Sequence, residues 1–361
     1  MKTIIAAYSK NLKGSRLTLR SSFQSLSAAS AFIQHHFRTC LQLLSVLQWI
    51  FSFLVMGLLF LVIFTYLFFT QLWLVSALYM SWLLIDWETP EKGGRRSLWV
   101  RNWSVWNYFR DYFPIQLVKT HNLPPGRNYI IGSHPHGILC IGAFCNFVTE
   151  STGFSQKFPG IRPYLATLAG NFRLPVLREY MMSGGLCPVN RKSIGYVLSK
   201  SGRGNAVVIV VGGAAESLSC QPGVTTLILS RRQGFVRLAL ENGTDLVPSF
   251  SFGETDLYQQ VHFPEGSILR AAQCKFQKLF GFAPCFFYGR GLTSCQSKGF
   301  IPYSRPVTTV IGEPVTVPQI KDPSPQIVDQ YHEMYKRSLL KLFHEYKTKY
   351  GLGEAAELRI L

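Results

Sequence analysis

No charged residue lies between Arg38 and Asp86. A helix needs about 20 apolar residues to cross a bilayer, so this stretch has room for two. Core helices of soluble proteins rarely run so long without a charge. Thr70 and Gln71 interrupt the run. The reading is a pair of helices, about Leu44 to Phe64 and about Leu72 to Leu84, forming a transmembrane or re-entrant hairpin over residues 41–86. A single long helix is the other arrangement the pattern admits. Lys2, Lys10, Lys13, Arg16, Arg20 and Arg38 precede the run, and Lys92, Arg95, Arg96 and Arg101 follow it. Basic flanks stay on the cytosolic side, so both ends are expected there. Residues 1–40 are polar, basic and Ser-rich and read as a flexible cytosolic tail.

The chain carries a formal charge of +18 over 361 residues. That balance suits an anionic partner such as a membrane face or a polyphosphate ligand. Nucleic acid is disfavoured, because the basic residues accompany an apolar segment and no binding motif. The eight cysteines show no CxxC pair and no zinc spacing, and they read as reduced thiols facing the cytosol. After the apolar run, Trp99, Trp103, Trp106, Tyr108, Tyr112 and Phe113 interleave with Arg101, Arg110 and Asp111. This pattern fits a headgroup layer and an aromatic core helix equally well.

From Asn122 onward the pattern is α/β. Strands are predicted at Tyr129–Ile131, Ala206–Val211, Leu246–Ser249, Cys285–Tyr288 and Thr308–Ile311, with helices between them. Such alternation favours a largely parallel or mixed sheet covered by helices. The last helix follows Pro323 and Pro325. Its apolar residues recur at Ile327, Tyr331, Met334, Tyr335, Leu339, Leu342 and Phe343, and Gly351 stops it.

Four blocks of this part combine glycine, charge and strand ends. In the first, a short strand breaks into His134, Pro135, His136 and Gly137, a rigid turn that holds two imidazoles at a sheet mouth. Histidine's ordinary pKa lies nearest working pH. The same residues also read as loop histidines with no chemical role. In the second, Arg173, Arg178 and Arg191 offer planar forks for phosphate oxygens, or are surface arginines in local salt bridges. The third, Val207 to Ser217, is an apolar strand running into Gly212, Gly213 and Glu216, a construction typical of sites in open sheets. No Lys-Ser/Thr follows the glycines, so a P-loop is excluded. The fourth is the strand of Asp245 to Glu254. There is no G-x-S-x-G elbow and no H-E-x-x-H site, and no metal site is read.

The blocks GSHPHG, FPGIRPYLATLAGNFRLPVLREYMMSGG, VVGGAAES, RRQGFVRLAL and VPSFSFGE resemble the diacylglycerol acyltransferase 2 family. The resemblance runs from about Gln42 to the end. RNWSVWNYFRDYFPIQLVKTHNL and FAPCFFYGRGL are closer to its diacylglycerol branch than to its monoacylglycerol and wax-alcohol relatives. It implies an acyl-CoA-dependent transferase that esterifies diacylglycerol to triacylglycerol, with no cofactor, since acyl-CoA is a substrate. It implies a location in the endoplasmic reticulum membrane, perinuclear, and at the lipid-droplet surface. The partners it implies are acyl-CoA, diacylglycerol and the bilayer; a homo-oligomer is left open. The family's HPHG motif falls unchanged on His134 to Gly137 and is regarded as part of the active site. Its neutral-lipid motif falls on Phe53, Leu54, Met56 and Phe60, with methionine in place of the second leucine.

A more distant similarity is to glycerolipid acyltransferases of the lysophosphatidate type. There a histidine is followed by an aspartate, an arginine block, a glutamate turn and a strand ending in proline. The same order appears here without the aspartate; Ile138, Leu139 and Cys140 stand in its place. The expected fold is therefore a membrane hairpin followed by a glycerolipid-acyltransferase-like mixed sheet, residues 87–361 forming a cytosol-facing interfacial domain. Glu216 is the candidate to orient the base, and backbone N–H groups near Gly137 or Gly212–Gly213 are oxyanion candidates. A monoacylglycerol or long-chain alcohol acceptor, and a non-catalytic lipid-droplet protein, are the alternative readings.

Overall fold

The computed structural model describes residues 30–282, 284–292, 294 and 296–361. Most of the expected tail lies outside the described residues. Residues 30–40 are already helical. They open α1, Ser30–Phe68, whose most apolar stretch is only 17% buried. A core helix of a soluble protein would be mostly covered, so the charge-free pattern reflects a surface that water does not suit. α1 contains one π-helical turn, Ser52–Met56. Ahead of that turn it is docked: Val46 and Trp49 are buried, and the Trp49 ring packs on Phe109 and Phe144. Beyond Gly57 much of its surface is uncovered, with Leu58, Val62 and Tyr66 exposed.

α2, Trp73–Ile85, lies against the end of α1. Ser76 Oγ donates to the Phe64 carbonyl at 2.8 Å, and the Phe64 and Tyr79 rings stack at 4.4 Å. At 13 residues it is shorter than the roughly 20 a full crossing requires. Its end is tied to the globular part by Asp86. That carboxylate meets the buried Arg178 at 2.6 Å and also pairs with Arg95. Burial works to raise the Asp86 carboxyl, but hydrogen bonds from Thr89 and Arg95 and the charge of Arg178 outweigh it and hold the group below its ordinary range.

The main sheet has seven strands: β1 Gln116–Lys119, β2 Tyr129–His134, β3 Arg162–Thr167, β4 Leu186–Pro188, β5 Asn205–Val210, β6 Asp245–Phe252 and β7 Thr308–Ile311. Their order is β1-β7-β6-β2-β5-β3-β4. β6, β2, β5, β3 and β4 run parallel, whereas β7 and β1 run against them. The mixed sheet expected from the sequence is thus present. β2 sits between β5 and β6, buried along its whole length. That is why it reads as YIIGSH with no outward polar alternation. Pro248 of β6 offers no N–H to the ladder. The carbonyl of its register partner Gly132 takes hydroxyls instead, from Ser249 at 3.1 Å and Tyr335 at 3.3 Å.

Helices cover both faces. On one lie α1, α3 (Val105–Tyr112), α4 (Ile141–Val148) and α5 (Leu177–Gly184). On the other lie α6 (Arg191–Ser199), α8 (Gly234–Asn242) and α10 (Pro325–Tyr346). Two further helices, α7 (Gly213–Ser217) and α9 (Ile268–Phe280), pack against each other. The aromatic segment after the apolar run divides. Trp106, Phe109, Tyr112 and Phe113 are core, and Arg101 is buried on Glu150 and three carbonyls. Trp99 remains exposed.

Candidate active site

The carboxyl ends of β2, β5 and β6 come side by side, where the strand order reverses around β2. Open α/β sheets hold their ligands at such a point. β2 delivers His134 and the turn to Gly137, β5 delivers Gly212 to Ser217, and β6 delivers Glu254.

The two histidines part company. His134 is the last residue of β2 and is 0% exposed. Its Nε2 lies 2.9 Å from Tyr335 Oη on α10, inside the core of that face. Burial lowers its pKa to about 3. In this structure its ring has no exposed surface, and its buried Nδ1 has no hydrogen-bond partner among the described residues. His136 lies past the strand and is only partly buried. Its Nδ1 is 3.2 Å from the Gly137 carbonyl and 2.7 Å from Ser217 Oγ. A carbonyl can only accept, so with the hydrogen on Nδ1 both contacts are satisfied and the lone pair is on Nε2, where Cys140 Sγ lies 3.6 Å away. Burial lowers this ring to about 4, partly opposed by its hydrogen bond to Gly137, so it is neutral at working pH.

Glu216 meets the turn at its backbone. Its carboxylate accepts the His136 N–H at 2.7 Å and the Ile228 N–H at 2.8 Å. The imidazole's own partner is the next residue, Ser217. The expectation that Glu216 orients the ring is therefore revised: the carboxylate holds the chain that carries the ring. Burial raises Glu216, opposed by the two N–H groups and by the charge of Arg232. Gly212 is required beneath it, because a Cβ there would meet Glu216 Oε2 at 2.0 Å.

Glu254 is a second anchor that the sequence did not single out. It accepts the Ile141 and Gly142 N–H groups, both at 2.7 Å, at the start of α4. Burial raises it to about 7 against those two bonds. Gly137 turns over it with φ +61°, and a Cβ on that glycine would meet Glu254 Cγ at 2.9 Å. Two buried carboxylates thus grip the His-Pro-His-Gly turn and the segment that follows it.

Cys140 Sγ lies 3.4 Å from His136 Nδ1. Burial, reinforced by Glu254 and Glu216, pushes its thiol well above the ordinary range. A thiolate nucleophile is disfavoured there. The residue holds φ +54°, a strained conformation for a residue with a side chain.

The arginine set does not converge. Arg178 is 1% exposed and committed to Asp86. Arg173 stacks on Trp87 at 3.7 Å and donates to its carbonyl. Arg191 pairs with Glu241 at 2.7 Å. The expected lipid motif falls on and after the π turn of α1. There Phe53 stacks on Trp49 at 5.7 Å, Met56 packs against the core, Leu54 is exposed, and Phe60 neighbours Phe64. Such turns recur at functional sites.

A family model described as diacylglycerol acyltransferase matches residues 65–361. The diacylglycerol O-acyltransferase 2 of Bos taurus is 60% identical over 360 residues, covering 100% of both chains. The Xenopus laevis protein of that name is 58% identical, again over 100% of both, and the Homo sapiens one 55%. Among solved structures, a 1-acyl-sn-glycerophosphate acyltransferase from Thermotoga maritima aligns with a TM-score of 0.38 and 13% identity, over 85% of this chain and 97% of that one. On the family match and the full-length relatives, the chain belongs to the diacylglycerol acyltransferase family.

Proposed function

We propose that this chain is an acyl-CoA-dependent diacylglycerol O-acyltransferase with His136 as its general base. The observation that carries the assignment of the base is the His136 ring, partly exposed at the turn, with Nδ1 against Gly137 and Ser217 and Nε2 bordered by Cys140 Sγ at 3.6 Å. Nε2 takes the proton of the acceptor hydroxyl. The oxygen attacks the thioester carbonyl, and the tetrahedral oxyanion is met by backbone N–H groups of Gly137 or Gly213. Collapse breaks the C–S bond. The imidazolium returns its proton to the leaving thiolate, so triacylglycerol and coenzyme A leave and no covalent enzyme intermediate forms. Glu216, Glu254 and Ser217 are positioning residues, and His134 belongs to the packing under the turn.

The bilayer is the second part of the reading. The exposed length of α1 and α2 lies in the membrane of the endoplasmic reticulum or against a lipid droplet, both chain ends are cytosolic, and residues 87–361 work at the interface. Phe53, Leu54, Met56 and Phe60 lie where that length meets the domain, and they contact the neutral lipid.

The test is a labelled acyl-CoA assay on membranes carrying the wild type or His136→Ala, with diacylglycerol, monoacylglycerol and a long-chain alcohol in parallel. General-base help is worth about 10²–10⁴ in rate, and a loss of that order is expected. Full triacylglycerol synthesis by the folded variant would sink the assignment of the base. Preference for either other acceptor would change the substrate. No transfer by the wild type would leave a lipid-binding protein.

A further inference from the structure

A cavity of about 420 Å³ opens between α6 and α8 at the carboxyl end of β5. Its apolar floor includes Ile209 and Phe235, and its walls carry Arg191, Arg231, Arg232 and Arg237. Arg191, Arg231 and Arg232 are exposed and Arg237 half-buried, so solvent screens their mutual repulsion, but together they give the cavity a positive field that favours an anion. The protein answers only part of that charge. Arg191 pairs with Glu241, and Arg237 comes within 4.0 Å of an exposed Asp322. Among the described residues, neither Arg231 nor Arg232 takes part in a salt bridge. The cavity also receives the start of α8, a helix of nine residues whose N-cap Gln233 supplies no side-chain cap. Its first N–H groups and positive helix end add to the same field.

We propose that this cavity binds the phosphates of the acyl-CoA nucleotide, with the arginines as ligands and the apolar floor under the base or the pantetheine arm. The proposal rests on the acyl-CoA reading above and gives it a place. Planar arginine forks match phosphate oxygens in pairs, and the volume falls in the range of ligand sites. The segment bearing Arg231 and Arg232 is tied to the candidate active site, since Ile228 N–H and His136 N–H bind the same Glu216 carboxylate. Arg232 is near enough for its charge to act on that carboxylate. A thioester led along this segment arrives at the turn that holds His136.

The test compares two acyl donors in the full chain held in neutral detergent micelles. One is acyl-CoA and the other is acyl-pantetheine, which lacks the nucleotide and its phosphates. In the double variant Arg231→Ala/Arg237→Ala, the KM for acyl-CoA should rise about tenfold or more, with a much smaller loss for acyl-pantetheine. Adenosine 3′,5′-bisphosphate should compete with acyl-CoA in the wild type and lose that ability in the variant. Arg231→Gln, at an exposed position, serves if the double variant does not fold. Equal losses with both donors, or an unchanged KM for acyl-CoA in an active protein, overturn the proposal. So does a loss seen only in vesicles containing anionic phospholipid, which would assign the arginines to lipid headgroups. Calorimetry with adenosine 3′,5′-bisphosphate reads the cavity directly. A wild type that binds it and transfers no acyl group refutes the proposed reaction, and one that transfers acyl groups without binding it refutes the cavity.

Discussion

Replacing Glu216 by Ala separates two ways a carboxylate can serve a histidine. In this structure the hydrogen bonds of the imidazole go to Gly137, Ser217 and Cys140, and the carboxylate meets backbone instead. It accepts two backbone N–H groups, from His136 at 2.7 Å and Ile228 at 2.8 Å. Without it both donors lose their acceptor, at about 1–3 kcal/mol each. The carboxylate's own desolvation is returned, so the net loss of stability should be about 2–4 kcal/mol. The turn that carries His136 then moves, and a displacement of about 1 Å costs roughly 10² in rate.

Thermal melts in detergent measure the first effect, and steady-state rates against pH measure the second. Glu216→Ala should lower kcat about 100-fold, with KM for both substrates much less affected. The acid limb of the pH profile should keep its midpoint, because the ring's partners are Ser217 and Gly137. Glu216→Gln should fall between, since an amide oxygen accepts one N–H while its NH2 faces the other. A folded Glu216→Ala protein with nearly wild-type kcat would refute the argument. A downward shift of the acid limb would refute it differently, by showing that the carboxylate acts on the imidazole's charge.

Cys140→Ala should retain activity within a few-fold, because its thiol is held protonated and no acyl-enzyme is required; loss of turnover together with a trapped thioester would reverse that conclusion. Asp86→Asn leaves Arg178 buried without its counter-charge and should cost about 3–5 kcal/mol, read as a lowered melting temperature. Burial holds His134 at about 3 and His136 at about 4 when folded, below the ordinary 6.5, so the unfolded chain takes up those protons first and stability falls as pH drops from 6.5 toward about 3. Glu254 acts in the opposite sense: raised to about 7 from 4.5, it favours the fold fully below pH 4.5 and that contribution is lost as pH rises through 7. Melting curves of Glu254→Gln against pH should lose the second slope and keep the first.

The sequence made the centre of the fold legible because that centre is fully buried. Strands β2, β5 and β6 are apolar runs bounded by glycine, a local signal. Strands β1, β3 and β4 escaped it: β1 is four residues long, β4 only three, and β3 carries a proline at its second position. The predicted strand at Cys285–Tyr288 exists in shifted form as Phe287–Arg290. It belongs to a separate antiparallel sheet with Gln259–Gln260 and Lys298–Gly299, an assignment no local pattern carries. Arg173, Arg178 and Arg191 looked like one cluster because they are close in the chain. They lie on a 3₁₀ turn, on α5 and at the start of α6, and these elements point them to three different partners. Glu254 was unreadable for the opposite reason. Its partners at Ile141 and Gly142 are distant in sequence, and they are backbone groups that every residue possesses. Ser217, beside the anticipated Glu216, needed only the helical turn of α7 to bring its hydroxyl to the ring.

Under the proposed function, the placement of the cavity and of α1 argues for a two-sided reaction. α1 docks on one face of the sheet through Val46 and Trp49. The arginine cavity opens on the other, lined by residues that pack with α6 and α8. Under the proposed function, a neutral lipid leaving the bilayer along α1 and a polyphosphate donor arriving from water approach from opposite faces. Both faces share the carboxyl end of β2. A base placed there serves both substrates without either crossing the other's path. This arrangement also explains why the turn is gripped from two sides: Glu216 ties it to the arginine-bearing segment, and Glu254 ties its far end to α4 on the face where α1 docks. Breaking the first grip should then weaken use of acyl-CoA more than of diacylglycerol when both are limiting, and breaking the second should do the reverse. Measured kcat/KM values for the two substrates in Glu216→Gln and Glu254→Gln would test that symmetry. Equal losses for both substrates in both variants would show that the carboxylates hold the turn as one body and that the two faces are not coupled to it separately.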